Sequence, residues 1–269
     1  MPEILEVEFY RLLAQQALGR RIVTVEAPDD WFLKGGLDPA TVIDALEGRE
    51  FTTDRRVGKL LLLETSPPFN GTAAEPGPTL GLRFGMTGRL LVDDCPAIEG
   101  LEYSSDRNDP VWDRFIVYFA DGGDLRLRDP RRLGGVELDP DESRLGTDGF
   151  AITPAKLRAA LGSSTAPLKA RIMDQARIAG IGNLLADESL WRAGLDPTRA
   201  ANSLDEVELT RLSRNLRRVL DQLFERGGSH TGDLHDERNR QGVCPRDGTP
   251  LRRDQVGGRT TYWCPGHQG

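Results

Sequence analysis

Residues 167–194 read PLKARIMDQARIAGIGNLLADESLWRAG, and the organisation of the chain follows from how that stretch is parsed. It is a helix-turn-helix candidate over about 167–193, with the turn at Gly180-Ile181-Gly182-Asn183. Glycines there allow positive φ and let the backbone approach a partner closely. The N-terminus of the next helix offers free N–H groups to a phosphate, and Asn183 adds a donor. A lone Gly-x-Gly is more often a simple tight turn, so its surroundings have to decide.

On either side the chain stays helical. Thr153-Pro154 reads as an N-cap followed by proline at the first helical position. Ser203-x-x-Glu206 has capping-box form and opens a long amphipathic helix that stops at Gly227-Gly228. Composition shifts near 139–152, and before that boundary the period changes. Short β-type runs (Arg21–Val25, Leu60–Leu63, Leu80–Phe84, Phe115–Phe119, Asp124–Leu127) are split by Gly, Pro and Asp clusters, which predicts a sandwich or barrel. Asp121-Gly122-Gly123 reads as a tight hairpin turn, and residues 66–78 as a flexible loop. Residues 3 to about 18 carry helical spacing through Val7, Tyr10, Leu13, Ala14 and Ala17, stopped by Gly19. The tail from Cys244 reads as a small hairpin module. The fold class expected is α+β and multidomain: an N-terminal helix plus β-sandwich over 1–139, a helical domain over 150–232, and a C-terminal hairpin over 240–269.

The chain has 269 residues, of which 38% are hydrophobic and 29% charged, a balance that fits a globular protein and not a disordered one. No apolar run approaches the roughly 20 residues that cross a bilayer, and MPEILEVEFYR lacks the basic and apolar regions of a signal peptide. A cytoplasmic protein is expected. Three cysteines exclude a disulfide framework; Cys95 reads as an idle thiol in a polar loop. A net charge of −7 and a pI near 5.2 argue against nucleic acid. Local clusters argue for it: Arg126, Arg128, Arg131 and Arg132, and then Arg246, Arg252, Arg253 and Arg259.

Three further features carry chemistry. Met1 precedes Pro2, and removal of the methionine leaves a secondary amine. An α-amino group titrates near 8 against about 10.4 for lysine, so more of it is uncharged at neutral pH. Attack on a sugar C1′ by a secondary amine yields an iminium. Glu3 and Glu6 stand beside it and can donate a proton, although proline and glutamate are also ordinary helix-start residues. Lys59 precedes a strand after Gly58 and can reach a phosphate or act as an acid. The tail pattern Cys244-x2-Asp247-x16-Cys264-x2-His267 is zinc-ribbon spacing, with Asp and His at two of four ligand positions.

Together these pieces resemble one family. MPEILEVE is similar to the MPELPEVE start of formamidopyrimidine-DNA glycosylases, FGMTGRL (84–90) to their LGMSGxL loop, and Asp129-Pro130-Arg131-Arg132-Leu133-Gly134 to DPRRFG. Residues 167–194 are similar to their helix-two-turn-helix region, and the tail to their zinc ribbon in spacing. The resemblance implies a base-excision-repair glycosylase with AP-lyase activity of the formamidopyrimidine-DNA glycosylase/endonuclease VIII type. Its partner would be double-stranded DNA carrying damaged bases or abasic sites, bound by a nucleoid-associated monomer. Pro2 would be the Schiff-base nucleophile and Glu3 the general acid, while Lys59 would serve β-elimination and Arg259 δ-elimination. Asn183 and Arg131 would hold the flanking phosphates, with Arg132 and Lys169 also on the DNA. Met86, Arg131 and Leu133 would fill the space of the flipped nucleotide, since C1′ cannot be reached inside the stack. Cys244, Asp247, Cys264 and His267 would hold structural Zn2+.

The sequence departs from the family at Leu5, Leu133, Trp112 and Arg114. The segment between Gly228 and Cys244 is short, which puts 8-oxoguanine recognition in doubt. Two alternatives follow: a lyase-only or idle damage binder on the same fold, and a non-enzymatic scaffold that binds a protein.

Overall fold

The structure, a computed structural model, describes residues 2–67, 76–98, 107 and 109–269. The chain divides into two compact units, one of Met1–Pro2 with Glu6–Glu142 and one of Glu3–Leu5 with Ser143–Gly269.

The first unit is a sandwich of two antiparallel sheets. Helix α1 (Ile4–Ala14) leads in and a 3-10 turn, Gln15–Ala17, closes it. Strands β1 (Ile22–Glu26), β2 (Phe51–Val57), β3 (Leu60–Thr65), β4 (Thr79–Arg83), β5 (Arg89–Val92), β6 (Cys95–Pro96), β7 (Asp113–Phe119), β8 (Asp124–Arg128) and β9 (Gly135–Leu138) follow. They pair as β1-β7-β8-β5-β6 and β2-β3-β4-β9. Alternation decides which side chains face inward. Leu61 and Leu63 of β3, Leu80 and Leu82 of β4, and Phe115 and Val117 of β7 share one buried core. Tyr10 joins that core from α1, and its hydroxyl donates to the Gly88 carbonyl at 3.1 Å.

The sandwich and the Asp121–Gly123 turn match the sequence reading, with Gly122 N bonded to the Phe119 carbonyl. A helix within the β region, α2 (Pro39–Leu46), had not been anticipated. Asp38 caps it, accepting from Thr41 N at 2.8 Å, and Val42 and Leu46 bury one face. Cys95 lies in a two-residue strand rather than a loop, exposed and unoxidised. Of the expected loop 66–78, residues 68–75 lie outside the described residues.

The second unit is mainly helical: α3 (Pro154–Leu161), α4 (Leu168–Ile172), α5 (Asn183–Ala193) and α6 (Glu206–Glu225). Its core takes Ile4 and Leu5 together with Leu185, Leu190, Leu212, Leu216 and Leu220. Thr153 caps α3 as expected. The capping box of α6 is set two residues later than the sequence suggested. Asp205 and Glu208 form it, whereas the Ser203 hydroxyl is spent on the Ala200 carbonyl. Both registers fit the pattern, and Asp205 accepts the Glu208 amide at 2.8 Å. The segment between α4 and α5 is more than a turn. Its residues Ile178–Ala179 (β11) pair in parallel with Thr147–Asp148 (β10). Beyond α6 the chain ends in the hairpin β12 (Arg252–Val256) and β13 (Arg259–Trp263).

Candidate active site

Helix α5 organises the second unit, and its first turn decides where Glu3 sits. The leading N–H groups of a helix have no intrahelical partner. Glu3, fully buried, supplies it from 179 residues away: Oε2 accepts from Gly182 N at 2.8 Å and from Leu185 N at 3.3 Å. Oε1 accepts from Leu184 N at 2.8 Å. Three amide donors and the positive end of the helix dipole converge on this carboxylate. Only glycine fits at 182, because a Cβ there would lie 2.2 Å from Glu3 Cδ. Pro2 is joined to this cradle by one peptide bond. Asn183 begins α5 with its side-chain oxygen buried and unbonded.

In the first unit, the loops expected to enter the duplex meet each other. The buried Asp129 carboxylate accepts from Arg131 N at 3.1 Å and from Leu133 N and Gly134 N at 2.8 Å each. It also takes the Thr87 hydroxyl at 2.5 Å, which ties the 84–90 loop to the 129–134 loop. The two backbones touch so closely that a Cβ on Gly85 would lie 2.4 Å from the Leu133 carbonyl carbon. Met86, Arg131 and Leu133 are thereby carried on one pair of loops, with Leu133 50% exposed. Asp129 thereby shapes its own loop, its oxygens serving amides two, four and five residues on.

The neighbouring arginines differ in fate. Arg128 pairs with Asp113 in the interior, and Arg132 grips Asp29 through two bonds of 2.5 and 2.6 Å. Arg132 takes a positive φ of 57° to do so, and its pairing holds the Asp29 carboxyl below the usual range. Arg131 is exposed, with no carboxylate in pairing distance among the described residues. A free guanidinium among paired ones is what a phosphate ligand requires. Arg131 is thus left unpaired beside Arg132, whose guanidinium is engaged by Asp29. Lys59 stands half-buried at the turn between β2 and β3.

Lys169 is not at the surface. It is fully buried, 2.7 Å from Asp187, and donates to Thr261 Oγ1 at 2.7 Å and to the Thr260 carbonyl at 3.2 Å. Burial pushes its ammonium below the ordinary lysine value, with Asp187 opposing. Asp187 also pairs with Arg238 and accepts from Tyr262 N at 3.2 Å. Lys169 therefore joins α4, α5 and the hairpin and presents no charge to solvent. Glu188 plays a parallel part for the segment after α6, accepting from Asp233 N and Leu234 N at 3.1 and 2.9 Å. Neither role was visible in the sequence, although a Lys and an Asp-Glu pair on amphipathic elements offered a hint. Arg259 opens β13 beside the Gly257-Gly258 turn, exposed and without a carboxylate partner among the described residues.

Cys244, Asp247, Cys264 and His267 converge, their ligand atoms all within 4.8 Å of one another. Cys264 Sγ lies 3.4 Å from Asp247 Oδ2, His267 Nδ1 3.5 Å from Cys244 Sγ and 3.4 Å from Asp247 Oδ2. Bonds of about 2.0–2.3 Å at tetrahedral angles separate neighbouring donors by roughly 3.3–3.8 Å, so the cluster is the right size for a metal ion. No helix among the described residues is long and apolar enough to cross a membrane.

Comparison with known proteins agrees with this geometry. Residues 1–136 match the formamidopyrimidine-DNA glycosylase N-terminal domain, and residues 145–234 the H2TH domain of the same glycosylases. The formamidopyrimidine-DNA glycosylase of Symbiobacterium thermophilum is 35% identical over 98% of this chain and 88% of its own length. That of Laribacter hongkongensis is 35% identical over the whole of both chains. Among solved structures, the Lactococcus lactis Fpg in complex with DNA containing FAPY-dG superposes with a TM-score of 0.79 at 25% identity, covering 99% of each chain. A complex of the LlFpg protein with THF-DNA and an inhibitor gives the same score and identity over 100% of both. From both ends of the sequence and across its two units, the chain belongs to the formamidopyrimidine-DNA glycosylase family.

Proposed function

We propose that this protein is a base-excision-repair DNA glycosylase and AP lyase acting on double-stranded DNA, with Pro2 as its nucleophile. One observation carries the assignment of roles: the buried Glu3 carboxylate, fixed in place by three amides of α5, is the immediate neighbour of Pro2 in the chain. Once Met1 is removed, the anion accepts a proton from the Pro2 ammonium and leaves a neutral imino nitrogen. That nitrogen forms a bond to C1′ of the extruded nucleotide. The glycosidic C–N bond breaks, the base leaves with the proton shed by the attacking nitrogen, and Glu3 gives the proton it took from Pro2 to the opening sugar oxygen. The resulting iminium acidifies C2′, so a base can remove that proton and expel the 3′ phosphate. A second elimination expels the 5′ phosphate.

Lys59 serves the first elimination and Arg259 the second. Arg131 and Asn183 hold phosphates, and Met86 and Leu133 occupy the vacated stack, offsetting part of an unstacking cost of a few kcal/mol. The Cys244, Asp247, Cys264 and His267 cluster holds structural zinc, which supplies folding energy to the hairpin bearing Arg259.

The test is borohydride reduction on an abasic-site duplex, followed by mass spectrometry. A sugar adduct on the Pro2 peptide is expected, and Pro2→Gly should reduce trapping sharply. An adduct elsewhere, or none from the folded wild type, refutes the assignment. Scoring base release and nicking separately over a panel of lesions separates full glycosylase action from lyase action alone.

A further inference from the structure

The four clustered ligands are not free to turn, and one residue of α5 accounts for much of this. The indole Nε1–H of Trp191 donates to Cys244 Sγ at 3.4 Å. The main-chain carbonyl of the same residue lies 3.1 Å from His267 Nε2. It belongs to the last turn of α5, where the helix dipole is negative, and it also accepts from Gly194 N at 3.1 Å, leaving a second lone pair for the histidine. A carbonyl can only accept, so this contact requires the proton on Nε2. The lone pair of His267 is then on Nδ1, the nitrogen that faces Cys244 Sγ and Asp247 Oδ2 at 3.5 and 3.4 Å. The thiols are oriented in the same manner, for Arg246 N donates to Cys244 Sγ at 3.4 Å and Gly266 N to Cys264 Sγ at 3.3 Å. Trp191 itself is fixed from its far face, where the Arg246 guanidinium stacks 4.6 Å from the ring.

We propose that Trp191 is a positioning residue for the metal centre. Through one N–H and one carbonyl it fixes the orientation of the Cys244 sulfur and presets His267 as an Nδ1 donor, in a site of two sulfurs, one nitrogen and one carboxylate oxygen. The inference rests on the zinc reading above and adds to it which helix residue holds the ligands and which tautomer His267 adopts. A second-shell partner of this kind typically contributes 10–100-fold in metal affinity.

Chelator-stripped full-length protein titrated with Co2+ provides the test. The wild type should give intense visible bands of tetrahedral cobalt and a near-ultraviolet sulfur-to-cobalt transition, both displaced by Zn2+. Trp191→Phe keeps an aromatic ring but removes the N–H, and should weaken Co2+ binding roughly 10-fold or more and shift the sulfur-to-cobalt band. Wild-type affinity and spectrum in a folded Trp191→Phe protein overturn the role of Trp191. Absence of the sulfur-to-cobalt band in the wild type overturns the metal reading itself, so the two failures are distinguishable. If the variant does not fold, nitrogen NMR of the zinc-loaded wild type still decides the tautomer. Metal-bound Nδ1 with protonated Nε2 is expected, and metal on Nε2 refutes the inference.

Discussion

Replacing Gly182 by alanine probes the Glu3 cradle with a single methyl group. The backbone at 182 has φ −115° and ψ −162°, a conformation open to any residue, so the perturbation is purely steric. The added Cβ would lie 2.2 Å from Glu3 Cδ and 2.5 and 2.6 Å from its oxygens, while ordinary contact begins at 3.4 Å. The carboxyl group has to retreat by about 1 Å, because interiors are close-packed and yield little. That retreat breaks the two short bonds to Gly182 N and Leu184 N, both 2.8 Å. Hydrogen bonds to a charged group contribute about 1.5–3 kcal/mol each, and water recovers part of this, so a net loss of about 2–4 kcal/mol is expected. A 1 Å misplacement of a reacting group costs roughly 100-fold in rate. Single-turnover base release from a formamidopyrimidine duplex should fall by that factor, with affinity for an uncleavable abasic duplex nearly unchanged, since phosphate contacts dominate binding. The double variant with Glu3→Gln should be no slower than Glu3→Gln alone, as the two residues act through one contact. A Gly182→Ala protein that releases base at the wild-type rate would refute the cradle argument.

Four other expectations come from the charged side chains. Arg131→Ala should lower DNA affinity and reduce the slope of affinity against salt by about one unit, leaving the melting temperature unchanged because the side chain is exposed and unpaired. Arg132→Ala should act on stability instead, through Asp29. Asp29 is held below its ordinary value of 3.8, so its contribution is complete above that value and disappears as pH falls through the lower folded value. Acid titration of unfolding should therefore flatten in Arg132→Ala relative to the wild type, and parallel curves would contradict the pairing. Asp187→Asn leaves Lys169 and Arg238 without their carboxylate and should cost about 3–5 kcal/mol in denaturant unfolding. Lys169→Met leaves Asp187 with Arg238 and should cost less; the reverse order would show that the pair is not the element that docks the hairpin.

Much of the architecture could be read from the chain. Short β-type runs broken by Gly, Pro and Asp marked β3, β4 and β7, Thr153-Pro154 marked the start of α3, and the spacing of Cys244, Asp247, Cys264 and His267 marked a closed cluster. Each of these is a relation among residues near one another in sequence, or a repeated interval, and such relations survive without knowledge of the fold. Local signals also misled where two registers were equally good, as with Ser203 against Asp205, and were too weak where a short helix, α2, interrupts the strands.

The sequence by itself determined the order of the elements, the glycine turn before α5 and the metal-ligand spacing. Only the tertiary structure decided that Glu3 lies on the amides of Gly182, Leu184 and Leu185, that Lys169 is an interior cation, and that Arg131 remains unpaired while Arg132 does not. The reason is physical. The state of a charge depends on which opposite charge or amide the folded chain brings within about 3 Å and on how much water is excluded there, and those partners come from distant segments whose meeting no local pattern encodes.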